Sequence, residues 1–132
     1  MILVDTGFWL ALANRRDHYH ELAKVALKQL QVPMMTTWPV LTETCHLLLN
    51  RMGAEAQQRF LASWEADAFQ VHPIPQEQIP RIRTLMTKYS DLPMDLADAS
   101  LVLLAEHLGH GRILSTGQRD FQTYSLEEPP PF

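Results

Sequence analysis

Apolar residues recur along this chain in two rhythms. Short runs without a polar break, Ile2-Leu3-Val4 and Met34-Met35, suit strands covered on both faces. Longer stretches place apolar residues three or four apart, which is helical spacing. Asp5 ends the first run abruptly, and Thr6-Gly7 lead into an apolar-periodic segment over residues 8–13. Residues 17–31 predict an amphipathic helix with Asp17 as its cap and Pro33 as its stop. Its apolar face would carry Leu22, Val25, Ala26 and Leu30. A second strand over 34–37 gives way at Trp38-Pro39 to a helix ending at Met52-Gly53, with Pro39 suited to the first turn. Residues 54–66 predict a helix with Phe60, Leu61 and Trp64 turned inward. Alternation over 69–74 predicts a third strand, and 75–89 a helix carrying Ile79, Ile82, Leu85 and Met86. After a turn at 91–93, residues 94–108 form a strongly apolar helix closed by Gly109, and 112–115 a fourth strand. The Pro-rich end, 125–132, reads as a loosely ordered tail.

Short strands alternating with longer helices define an α/β protein with a parallel sheet flanked by helices. Right-handed crossovers bring the C-terminal ends of the strands to one edge, which is where open sheets bind ligands. With 132 residues and no repeat or linker, the chain reads as one domain, 1–132. Cys45 is the only cysteine, so no intrachain disulfide can form. No apolar run approaches the roughly 20 residues that span a bilayer, and Met1 opens directly onto the first strand, leaving no room for a cleaved leader. A cytoplasmic protein without membrane contact is expected. The net charge of -4 disfavours a general polyanion-binding surface. Arg15, Arg16, Arg81, Arg83, Lys88, Arg112 and Arg119 are scattered, and only a local basic rim is open to them.

Most acidic residues lie on polar faces or at helix ends. Four do not. Glu43 sits in Val40-Leu41-Thr42-Glu43-Thr44-Cys45-His46-Leu47, apolar around most of its circumference and so expected to be substantially buried. An isolated buried charge must be paired, protonated or metal-bound; the plain alternative is stabilisation by the helix dipole. Asp98 lies among Leu96, Ala97, Ala99, Leu101 and Val102, with Asp95 one turn earlier on the same side. Asp95 is a natural N-cap, whereas Asp98 is expected to lie past the cap. Asp120 follows the fourth strand in Ser115-Thr116-Gly117-Gln118-Arg119-Asp120, where a loop role is equally natural. On a parallel sheet, Asp5 and Asp120 stand at strand ends while Glu43 and Asp98 open helices at the same edge. Carboxylates gathered without basic partners suit a hard divalent cation such as Mg²⁺ or Mn²⁺. Such a cation can hold a phosphodiester and activate water for attack on it.

Competing motifs are missing. There is no phosphate-cradling glycine loop, no Ser/His/Asp set, and no zinc spacing among the six histidines. A phospho-accepting receiver domain would need adjacent acids after the first strand, where Thr6-Gly7 stand instead.

Val4-Asp5-Thr6, Thr42-Glu43, Leu96-Ala97-Asp98-Ala99-Ser100-Leu101 and Ile113-Leu114-Ser115…Arg119-Asp120-Phe121, in this order and spacing, resemble PIN-domain proteins. The chain looks most like the small VapC-type toxins of bacterial type II toxin–antitoxin pairs, over nearly its whole length. The resemblance implies a three-layer α/β/α sandwich, Mg²⁺- or Mn²⁺-dependent endoribonuclease activity, a cognate antitoxin protein and a homodimer. It assigns Asp5, Glu43 and Asp98 to the core acidic positions. The fourth acid of the pattern falls on Gly117, so Asp120 is the nearest substitute and Asp95 a further helper. Thr6 and Ser115 would orient ligands, and Arg15, Arg16 or Arg119 would contact RNA phosphates. The rival reading is a PIN-like binding module with a degraded site, for which Gly117 is the argument.

Overall fold

The computed structural model describes residues 1–91 and 94–116. Gly117, Arg119, Asp120, the tail at 125–132 and part of the 91–93 turn lie outside the described residues. Among the described residues, four strands pair in parallel in the order β3-β2-β1-β4: β1 (Ile2–Val4), β2 (Met34–Thr37), β3 (Gln70–His72) and β4 (Ile113–Leu114). Between them run α1 (Thr6–Ala13), α2 (His20–Gln29), α3 (Trp38–Met52), α4 (Ala54–Glu65), α5 (Ile79–Lys88) and α6 (Leu96–Leu108). This is the expected α/β/α sandwich. None of the described helices is long and apolar enough to cross a membrane.

Register places the edge. Leu3 pairs with Met35 on one side and Ile113 on the other, so Asp5, α3 and Ser115 all leave the sheet at its C-terminal edge. Leu3 and Val4 are fully buried, as a central strand covered by helices requires. Trp9 of α1 packs on Phe60 and Phe69 at ring-centroid distances of 5.3 and 4.6 Å. The apolar circumference of α6 has a simple cause: it serves two cores. Ala97, Leu101, Leu104 and Ala105 join the main cluster, while Ala99, Val102 and Leu103 face Ile82, Leu85 and Tyr89. Gly109 ends the helix in the left-handed conformation (φ 88°), which a glycine adopts without a Cβ clash.

Several expectations change at their edges. Residues 14–19 form turns rather than helix, with the Asp17 carboxylate accepting from Tyr19 N–H at 2.8 Å, so α2 begins at His20 without a side-chain cap. Half of its expected inner face packs inward: Ala26 and Leu30 lie against the main core, whereas Leu22 is 68% and Val25 49% exposed. The helix docks also through Ala23 and through His20, whose Nδ1 lies 2.7 Å from the Ala11 carbonyl oxygen. The 75–89 segment divides into a 3₁₀ turn (Gln76–Gln78) and α5, with Pro80 in its first turn. On α3, neighbours cover one side only; His46 and Leu49 are exposed, and Glu43 is half-buried rather than deep.

Candidate metal centre

Asp5 is the N-cap of α1. Its Oδ1 accepts from Phe8 N–H at 3.1 Å, and its Oδ2 accepts a short hydrogen bond from Ser115 Oγ. The strand end, the helix start and the β4 end are thus tied through one carboxylate. Gly7 permits this approach, because a Cβ there would run into Thr116 Oγ1. Burial pushes the Asp5 carboxyl up, while the Ser115 hydroxyl and the Phe8 and Gly7 amides pull part of the way back.

Asp98 departs from expectation in an informative way. It is not past the cap but belongs to it. Asp95 Oδ1 accepts from Asp98 N–H at 2.8 Å, and Asp98 Oδ2 accepts from Asp95 N–H at 3.4 Å, which closes a capping box. This reciprocal cap accounts for an acid in the first turn but leaves its charge uncompensated. Burial raises the Asp98 carboxyl to about 7, with the Asp95 charge and then the Glu43 charge pushing the same way. Glu43 on α3 and Asp98 on α6 therefore feel one another across the site. Among the described residues, no Lys, Arg or His forms an ion pair with Asp5, Glu43, Asp95 or Asp98.

The donor set fits a hard cation: carboxylate oxygens dominate, and Thr6 Oγ1 is buried with no partner among the described residues. The described residues do not bring three His, Cys, Asp or Glu side chains close enough to share one ion. A Mg²⁺-like ion bound through one or two carboxylates and several waters does not require that. Arg15 and Arg16 are exposed and follow the far end of α1, about 12 Å of helix from Asp5. They do not join the acids. Arg15 lines a cavity of about 610 Å³ that also touches Trp9, Leu48, Met52 and Phe60 but none of the four acids. A smaller cavity of about 280 Å³ reaches the acid edge through Ser115 and Thr116.

Sequence reading missed the hydroxyls beneath the acids. Thr36, Thr37, Thr44 and Ser100 are all fully or almost fully buried. Thr36 Oγ1 donates to the Val4 carbonyl at 2.8 Å, beside Asp5. Two consecutive threonines closing an apolar strand were the available signal.

The PIN domain profile matches residues 2–125, so this chain belongs to the PIN domain family. Among curated relatives it is 23% identical over 120 residues to "Ribonuclease VapC26" of Mycobacterium tuberculosis, covering 91% of this chain and 89% of that protein. It is 45% identical over 56 residues to "23S rRNA-specific endonuclease VapC20" of the same species, covering 42% of this chain and 43% of that protein. The crystal structure of Mycobacterium tuberculosis VapC20, described as a Sarcin-Ricin loop cleaving toxin, superposes with a TM-score of 0.86 at 24% identity. That match covers 93% of this chain and 94% of the other, and it shows the shared fold.

Proposed function

We propose that this protein is a divalent-metal-dependent endoribonuclease, the toxin of a toxin–antitoxin pair. The carrying observation is the acid edge: Asp5 and Asp98 are both held toward their neutral forms, with no basic partner among the described residues. Membership of the PIN family and relatives named as ribonucleases support the substrate class. Asp5, Glu43 and Asp98 would hold Mg²⁺ or Mn²⁺, one or two of them directly and the rest through the ion's waters, with Asp95 beside them and Asp120 as a fourth donor. When bound, the cation would supply the positive charge that holds a phosphodiester and would lower the pKa of a water so that it can give up a proton and serve as the nucleophile. The protein's own part is orientation. Ser115 and the α1 amides fix Asp5. The capping box engages Asp98 Oδ2 and leaves Oδ1 to take a proton from water. A cognate antitoxin and a homodimer complete the reading.

Asp5→Asn is the cleanest test, because Asn caps a helix as well as Asp and the fold should survive. Incubated with RNA, ribosomal RNA first, the wild type cleaves in Mn²⁺ or Mg²⁺ and stops in EDTA. Asp5→Asn should lose roughly 100-fold or more of the rate, the scale of removing a principal catalytic electrostatic group. Full cleavage in EDTA sinks the metal mechanism. One observation favours the binding-module alternative: the described acids do not converge on one point. Calorimetry separates the two, since a binding module takes up no divalent cation in the low-millimolar range.

A further inference from the structure

We propose that the buried Thr37–Ser100 hydroxyl pair positions the two helices carrying Glu43 and Asp98, setting the width of the metal site. This rests on the metal-site reading above. Thr37 Oγ1 and Ser100 Oγ lie 2.6 Å apart, are 0% and 1% exposed, and stand 63 residues apart in the chain. Thr37 is the N-cap of α3, where its Oγ1 accepts from Val40 N–H at 3.4 Å. Ser100 Oγ lies 2.7 Å from the Ala97 carbonyl oxygen in the first turn of α6.

Proton inventory fixes the direction of these bonds. A carbonyl only accepts, so the single Ser100 proton goes to Ala97. Ser100 is then the acceptor for Thr37, and Thr37 the acceptor for Val40. The chain runs Val40 N–H to Thr37 O–H to Ser100 O–H to the Ala97 carbonyl, with each hydroxyl proton used once. It joins the opening turn of α3 to the opening turn of α6. Glu43 lies one turn beyond this link on α3, and Asp98 lies next to Ala97 on α6. When both acids are ionised and no cation lies between them, their repulsion favours separation of the helix starts. A buried, saturated hydrogen-bond chain resists that, because opening it strands a donor away from water. Thr36, bonded to the Val4 carbonyl, ties the same strand end to the Asp5 strand.

The test is a calorimetric titration of the full chain with MnCl₂, paired with unfolding measurements in EDTA. The variants are Ser100→Ala, Thr37→Val, Thr37→Ser and, as a core control on α5, Ile82→Val. Ser100→Ala and Thr37→Val should weaken Mn²⁺ binding about 10-fold, while Thr37→Ser and Ile82→Val should stay within about twofold of wild type. If Thr37→Val does not fold, Ser100→Ala set against Thr37→Ser carries the comparison. Loss of stability in Ser100→Ala with unchanged Mn²⁺ affinity overturns the proposal and makes the pair a structural staple alone. A wild type that takes up no Mn²⁺ overturns the metal-site reading itself, and this proposal with it.

Discussion

Two demands meet at Asp98. Its capping partner, the Asp95 amide, favours a charged carboxylate; burial and the neighbouring acids favour a neutral one, and the latter prevail. The carboxyl titrates at 3.8 in the unfolded chain and near 7 in the folded protein. Metal-free folding therefore binds a proton across that interval. The stability contributed by this group is fully present below the lower value and is lost as pH rises through the upper one. Asp5, also raised, adds in the same direction. Asp98→Asn keeps the capping oxygen and removes the titration. In EDTA its stability should match wild type in strong acid and exceed it increasingly from about pH 4 to above about pH 7, as urea unfolding across that range would show. An advantage independent of pH would refute this assignment. The partial burial of the Asp5 and Asp98 carboxylates was legible in the sequence because each is an acid set in an apolar context. The Thr37–Ser100 bond was not, because its partners are 63 residues apart and a buried hydroxyl leaves no mark on hydrophobic periodicity.

Among the elements, α6 and α2 mark the two limits of pattern reading. The strongly apolar segment predicted a buried helix, and α6 is packed between the sheet core and α5. Leu104 is fully buried there, so Leu104→Ala should destabilise the protein by about 2–5 kcal/mol in chemical denaturation. The same periodicity in α2 predicted burial for four residues, of which Ala26 and Leu30 pack on the core while Leu22 and Val25 meet solvent, since periodicity identifies which residues share a face but not how much of it is covered. Leu22→Ser on that face should change stability by only about 0.5 kcal/mol or less. Strand ends were less legible still. The third and fourth strands are shorter than the predicted segments 69–74 and 112–115, and among the described residues each has a single neighbour.

For the molecule as a whole, a cation that binds only the folded state should raise stability by mass action. Mn²⁺ at 100 times its dissociation constant contributes about 2.7 kcal/mol, or roughly 10 °C in Tm for a domain of this size. Asp5→Asn should abolish most of that shift in a thermal melt, and an equal shift in the variant would place the cation elsewhere. The strand order carries a consequence of its own. β1 opens the chain, yet its partner β4 is among the last described segments, and the Asp5–Ser115 bond closes a separation of 110 residues. Loop closure over such a distance comes late, after local helices have formed. At about 5–20 residues per second, a growing chain carries Asp5 for most of its synthesis without the hydroxyl that orients it. If Asp5 works as proposed, a nascent chain would lack the geometry that orients this carboxylate until β4 has emerged and paired with β1.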